Sequence, residues 1–79
     1  MEALQTFKGG QLTLRVFKEH VEVEMPRYYI SVPFTAINAL QVQKDANAQL
    51  TINTGGLEVK FYDGDVKGAY NAILKAINQ

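Results

Sequence analysis

The chain contains no cysteine, which excludes disulfide bonds, thiolate zinc sites and cysteine nucleophiles. A single histidine excludes a metal site built on several imidazoles. Eight Lys and Arg residues balance eight Asp and Glu residues. A formal net charge of zero argues against a strongly basic nucleic-acid binder and against an acidic disordered tail. We therefore expect no nucleic-acid partner, no cofactor and no metal.

Long hydrophobic runs are also missing. No apolar stretch approaches the roughly 20 residues that span a bilayer, and the first residues do not have the pattern of a signal peptide. The two prolines, Pro26 and Pro33, are too isolated to mark a linker. These features predict one soluble, cytoplasmic domain over residues 1–79, and a small chain of this kind fits a bacterial or phage origin.

Apolar and polar residues alternate through the first four-fifths of the chain, as expected for half-buried strands. Short polar or glycine-containing turns separate the runs, among them Gly9-Gly10, 44–47 and Gly55-Gly56. Short connections favour an antiparallel meander. The pattern predicts about seven strands within roughly 3–62, at 3–7 (the weakest), 12–17, 21–25, 29–34, 40–43, 50–53 and 57–62.

The period changes to a helical one near Asp65. Apolar residues from Val66 to Ile77 recur at three- and four-residue spacing, which predicts an amphipathic helix over 65–78. Asp63 or Asp65 can cap its first turn. The sequence thus predicts a mainly β chain with one C-terminal α-helix.

This order resembles the pleckstrin-homology-like fold, and in particular its short bacterial members. The resemblance rests on a Gly-rich turn entering a strand at 9–14, an Ile/Val-Pro segment followed by an Ile-x-x-Leu step within 30–40, a glycine hairpin at 50–56 and the closing helix at 66–77. It implies a bent antiparallel barrel of seven strands with the helix covering one end. It implies no specific chemistry.

Phosphoinositide-binding relatives of that fold carry a basic cluster beside the first hairpin. Lys8 and Arg15 match the ends of that cluster, but its middle basic position is occupied by Thr13. With no excess positive charge on the chain, we do not expect binding to membrane lipids.

The reactive residue types form no recognisable catalytic constellation. His20 beside Glu19 and Glu22 would suit a general base oriented by a carboxylate, or a solvated turn histidine. Glu22 and Glu24 share one strand face and would suit either paired acid–base carboxylates or a solvated surface. No nucleophile–base pair is identifiable from spacing, and we predict that the protein is not an enzyme.

The most informative segment is Met25-Pro26-Arg27-Tyr28-Tyr29. Adjacent residues of a strand point to opposite sides, so one of the two tyrosines should face outward. Exposed Tyr beside Arg is typical of interface hot spots, and prolines are typical of edge strands protected against open-ended pairing. We predict an interface formed by Pro26, Arg27, Tyr28 and Tyr29.

Two functions remain open. The first, which we favour, is a non-enzymatic interaction module that binds a protein partner or itself, with a homodimer preferred over a monomer. The alternative is a binding or sequestering protein for a nucleotide or lipid headgroup, with phosphate contacts from Lys8, Arg15 and Lys60 and from Arg27. Phe17 and Tyr62 fall on the polar side of their strands and either form an exposed aromatic patch or pack under the helix.

Overall fold

The computed structural model describes residues 3–46 and 48–78. The predicted turn at 44–47 ends on Asn47, and the predicted domain begins at 1–2 and ends at 79. Residues 1–2, 47 and 79 lie outside the described residues. The elements follow one another as β1 (Gln5–Gly9), β2 (Leu12–Val16), β3 (His20–Glu24), β4 (Tyr29–Pro33), a 3-10 turn (Phe34–Ala36), β5 (Ala39–Gln43), β6 (Gln49–Asn53), β7 (Glu58–Tyr62) and α1 (Val66–Ile77).

The strands form two antiparallel sheets. One has the order β1-β2-β3-β4 and the other the order β5-β6-β7. The prediction of a mainly β chain that ends in one helix is confirmed. Among the described residues no backbone ladder joins the two sheets, so the strands form two separate sheets rather than a closed barrel. Four strands are therefore edge strands: β1, β4, β5 and β7.

The core lies between the sheets and beneath the helix, and the alternation of the sequence produces it. In β2, for example, Leu12, Leu14 and Val16 are buried while Thr13 and Arg15 are partly exposed. Each buried Leu, Ile or Val stabilises the fold by about 1.5–3 kcal/mol relative to an exposed position. The hydrophobic core cluster consists of Leu12, Leu14, Val16, Val21, Val23, Val32, Leu50, Ile52, Val59, Phe61, Val66, Ala69, Ile73 and Ala76.

The helix bridges the two sheets at one end of the molecule. α1 packs against β2 of the first sheet and against β5 and β6 of the second. The Asp65 carboxylate accepts a hydrogen bond from the Gly68 N–H at 2.9 Å, which satisfies a free donor of the first turn. Across the described part of the chain, no helix has the length and apolar character needed to cross a membrane.

The sheets meet closely at one corner, where the end of β1 approaches the end of β7. A Cβ at Gly9 would collide with the backbone oxygen of Tyr62, and a Cβ at Gly64 would lie 2.5 Å from the backbone oxygen of Lys8. Only residues without a side chain permit this approach. The two glycines therefore bring the β1–β2 turn and β7 together, and this contact forms one side of the site described next.

Candidate functional site

A cleft opens between the first sheet and β7, and no residue of α1 lines it. Its volume is about 350 Å³. An adjoining hollow of about 280 Å³ extends it along β7 past Ile30, Leu57 and Val59. We call the larger space the tyrosine cleft, defined by Gln11, Leu12, Met25, Pro26, Arg27, Tyr28, Lys60 and Tyr62.

Two exposed tyrosines flank this cleft. Tyr28 follows the two-residue β3–β4 turn and is 66% exposed, while Tyr62 ends β7 and is 49% exposed. The turn is closed by two backbone hydrogen bonds between Met25 and Tyr28, at 2.8 and 3.3 Å. These two bonds define the backbone conformation from which the Tyr28 ring extends.

The Tyr62 ring owes its position to a glycine. Gly10 has φ +59°, in the left-handed region, and a Cβ there would lie 3.2 Å from ring atom Cε2 of Tyr62. The ring therefore lies against the backbone of the β1–β2 turn, where a larger residue would displace it. The glycine turn that the sequence suggested for a hairpin also builds one wall of the cleft.

The cleft combines apolar surface with positive charge. Leu12 is buried and Met25 is half-buried, and both contribute to the cleft and to the adjoining hollow. Arg27 is exposed and makes no hydrogen bond or ion pair with any residue of 3–46 or 48–78. Lys60 Nζ lies 3.4 Å from Glu58 Oε1, and both side chains are about half exposed. Such an exposed pair is weak, so Lys60 is available to another anion.

The structure brings together residues from both predicted sets. Pro26, Arg27 and Tyr28, which we predicted as an interface, line the same cleft as Lys60, which we predicted as a ligand contact. Met25 belongs to the segment that the sequence marked as informative but not to the predicted interface, and Gln11 and Leu12 were not predicted as site residues.

The remaining predicted residues lie elsewhere. Lys8 is exposed on β1 and does not line the cleft. Arg15, on β2, forms an ion pair with Glu24 at 2.9 Å. Tyr29 is 59% exposed, and its hydroxyl donates a hydrogen bond to Glu22 Oε1. We expected one of the two adjacent tyrosines to face outward. Both are exposed, Tyr28 at the cleft and Tyr29 beside Glu22.

The outer face of the four-stranded sheet carries a polar network rather than a purely solvated acidic surface. His20 Nε2 lies 3.2 Å from Glu22 Oε2, and the His20 ring stacks on Phe17 with centroids 4.5 Å apart. The hydrogen bond from Tyr29 is the main cause that lowers the pKa of Glu22, with His20 adding to it. The same bond raises the pKa of Tyr29. Neither His20 nor Glu22 lines the cleft.

The two aromatic residues whose environment the sequence left open differ. Phe17 is buried, at 7% exposure, and it packs against His20, whereas Tyr62 is exposed at the cleft. Within residues 3–46 and 48–78, no group of three or more His, Cys, Asp or Glu side chains is placed to bind a metal ion.

Comparison of the chain with protein-family models, with curated proteins and with solved structures found no significant match in any of the three. The resemblance to the pleckstrin-homology-like fold therefore stays a prediction, and the proposals below rest on the geometry of the cleft and of the strand edges.

Proposed function

We propose that the protein is a non-enzymatic interaction module that binds an acidic segment of a partner protein in the tyrosine cleft. The observation that carries this proposal is the exposed Arg27 guanidinium, which pairs with none of the described residues, beside the exposed Tyr28 ring and over an apolar surface. Tyr and Arg are the residue types that dominate binding energy at interfaces. The sequence predicts the cytoplasm as the compartment in which this binding takes place.

The chemistry of the cleft defines the partner segment. Arg27 and Lys60 favour a carboxylate-bearing segment, since complementary charges increase association rates and specificity. Leu12 and Met25 favour an apolar side chain placed next to that carboxylate. Tyr28 and Tyr62 supply large contact areas with few rotatable bonds, which keeps the entropic cost of binding low.

The proposal is tested by selecting peptides from a random phage-displayed library on the immobilised protein. We expect enriched sequences that place Asp or Glu next to an apolar or aromatic residue. An enriched peptide, synthesised with a fluorophore, is then titrated by fluorescence anisotropy. Arg27→Ala and Tyr28→Ala should each weaken its binding about tenfold or more, which corresponds to about 1.4 kcal/mol.

The chain offers a matched control for each variant. Arg15→Ala removes an arginine that already pairs with Glu24, and Tyr29→Ala removes the neighbouring tyrosine that lies outside the cleft. Both should leave the peptide affinity within about twofold of the unmodified protein, a difference of about 0.4 kcal/mol. Enriched peptides that bind equally well to the Arg27 and Tyr28 variants, or a selection without enrichment, would contradict the proposal.

A small anionic ligand is the second candidate, because Arg27 and Lys60 line one space of a size suited to a nucleotide or a headgroup. Its test is a thermal-shift series with nucleotides and soluble headgroup analogues. An increase in Tm that disappears in both Arg27→Ala and Lys60→Ala would support this candidate. No shift at millimolar ligand would exclude it.

For the fold we propose the pleckstrin-homology-like arrangement. It is supported by the close approach of β1 and β7 at Gly9 and by the helix that bridges both sheets. The test is a measurement of nuclear Overhauser contacts between the Gly9 α-protons and residues 62–64. Their absence would contradict this arrangement of the two sheets.

A further inference from the structure

The free edge of β4 presents a second surface that is distinct from the tyrosine cleft. β4 pairs with β3 on one side, and no strand within residues 3–46 and 48–78 pairs with its other side. Tyr29, Ser31 and Pro33 are exposed, whereas Val32 is buried and Ile30 is half-buried. The outer face of β4 is therefore exposed next to its free edge.

The hydrogen bonds at the two ends of β4 define which backbone groups point outward. At one end Met25 and Tyr28 exchange backbone bonds, and at the other the Phe34 N–H donates to the Glu19 carbonyl at 3.1 Å. Bonded and non-bonded pairs alternate along an antiparallel ladder. The bonds to β3 thus come from Ile30 and Val32.

The residues between them direct their backbone groups away from β3. Tyr29 and Ser31 each present an N–H and a carbonyl to the free edge. Pro33 presents only a carbonyl, because proline has no N–H. The edge is therefore a short template for one more strand, limited at one end by Pro33.

Charge distinguishes β4 from the edge strands β1 and β7. β1 carries Lys8 and β7 carries Glu58 and Lys60, and charges of this kind normally protect an edge against pairing with itself. β4 has no charged residue. β5 has none either, but α1 packs against it. A two-fold axis placed on β4 brings no like charges together.

We propose that β4 pairs antiparallel with β4 of a second copy of this chain, with the two-fold axis at Ser31. In this register the two Ser31 residues exchange backbone hydrogen bonds, and the Tyr29 N–H donates to the carbonyl of Pro33 of the second copy. The small Ser31 side chain permits close approach at the axis. Tyr29 lies opposite the other copy's Pro33 and on the same face of the extended sheet, as directly paired residues of antiparallel strands do. The two four-stranded sheets become one continuous sheet.

The test is sedimentation velocity of the purified protein from low micromolar to millimolar concentration. We expect a reversible shift from the 8.8 kDa monomer to a species of twice that mass. Ser31→Pro removes an outward N–H that β3 does not use, and we expect it to weaken dimerisation at least tenfold. Ser31→Thr keeps the N–H and a hydroxyl, and it should dimerise like the unmodified protein.

A third variant covers the case in which Ser31→Pro does not fold, as judged by circular dichroism. Ser31→Lys keeps the N–H but places two like charges at the axis, so its dimer should be weakened at least tenfold at low salt and recover partly at high salt. A protein that stays monomeric at millimolar concentration would overturn the proposal, as would a Ser31→Lys dimer with unchanged affinity at low salt.

Failure of this proposal is separable from failure of the proposed function. Ser31→Lys should still bind the cleft-selected peptide, because residue 31 does not line the cleft. Arg27→Ala should still dimerise, because Arg27 lies outside the strand. Loss of dimerisation in Arg27→Ala equal to that in Ser31→Lys would contradict the assignment of the interface to the β4 edge.

Discussion

The helix-covered end and the open end of the molecule are built from different residues. Beneath α1, Ile73 is completely buried and Ala76 nearly so. At the open end, the large hydrophobic side chains of Tyr28, Leu57 and Tyr62 are each at least 44% exposed. The covered end resembles a protein core, whereas the open end has the composition of an interface.

This difference separates stability from recognition. Buried apolar area stabilises the fold, so substitutions beneath the helix should be costly to folding. Exposed rings at the cleft contribute little to the folded state and are available to a partner. The comparison predicts that the same truncation will cost much more folding stability at the covered end than at the open end.

The largest effect is expected from truncating the helix core. Ile73→Ala leaves a cavity where the side chain is fully buried, and it should lower the free energy of unfolding by about 2–5 kcal/mol. Leu57→Ala removes an equally large side chain that is 44% exposed beside the cleft, and it should cost about 1 kcal/mol or less. Urea denaturation measures both. Equal losses of unfolding free energy would mean that Leu57 contributes to the core as much as Ile73 does, which would contradict the distinction between the two ends.

A pair of glycine substitutions tests whether the backbone is tightly packed where β1 meets β7. Gly9→Ala places a Cβ against the Tyr62 backbone oxygen, which cannot move without shifting β7, and it should destabilise the fold by about 2–3 kcal/mol. Gly56→Ala is the matched control, because a Cβ there meets no atom within 4 Å, and it should change stability by about 0.5 kcal/mol or less. Thermal unfolding of both variants measures the two changes in stability. A neutral Gly9→Ala would show that the corner between the sheets is not tightly packed.

A smaller effect is expected at the start of α1. Asp65→Ala removes the carboxylate that accepts the Gly68 N–H, and the loss of this cap should cost about 1 kcal/mol. Asp65→Ser keeps a capping oxygen and should restore most of that stability. Chemical denaturation followed at the helix signal in circular dichroism compares the two. An Asp65→Ala protein as stable as the original would show that the cap does not support the covered end.

Much of the fold could be predicted from the sequence because its elements obey local rules. The alternation of Leu12, Leu14 and Val16 and the helical spacing after Asp65 each follow from which residues must face a core. Gly68 shows where such rules end. A glycine inside a helix normally costs stability relative to alanine, but here a Cβ would collide with the Asp65 carboxylate that caps the first turn.

The candidate site was only half predictable, for a physical reason. Pro26, Arg27 and Tyr28 are neighbours in sequence, and their composition alone marked them as a surface. Tyr62 and Lys60 join them only because Gly9 and Gly64 let the ends of β1 and β7 approach. Contacts between distant segments depend on how the two sheets are oriented, and strand alternation carries no information about that orientation.

The smallest effect distinguishes two adjacent tyrosines, Tyr28 at the open end and Tyr29 on the outer face of the four-stranded sheet. The hydrogen bond from Tyr29 is the main cause that lowers the pKa of Glu22 below its ordinary 4.5. The carboxylate's contribution to stability is therefore complete above pH 4.5 and is lost as the pH falls through the lowered pKa. The pKa of Tyr29 is raised above 10.0, so the contribution of its protonated hydroxyl is complete below pH 10.0 and is lost as the pH rises through the raised pKa.

The check is a carbon-detected NMR titration of Glu22 in matched phenylalanine variants. Tyr29→Phe removes the donor, and the pKa of Glu22 should move back toward 4.5. Tyr28→Phe removes a hydroxyl at the cleft and should leave that pKa unchanged. An identical Glu22 titration in both variants would mean that Tyr29 is as free as Tyr28. In that case the outer face beside β4 would offer a second exposed tyrosine hydroxyl to partners, in addition to that of Tyr28 at the cleft.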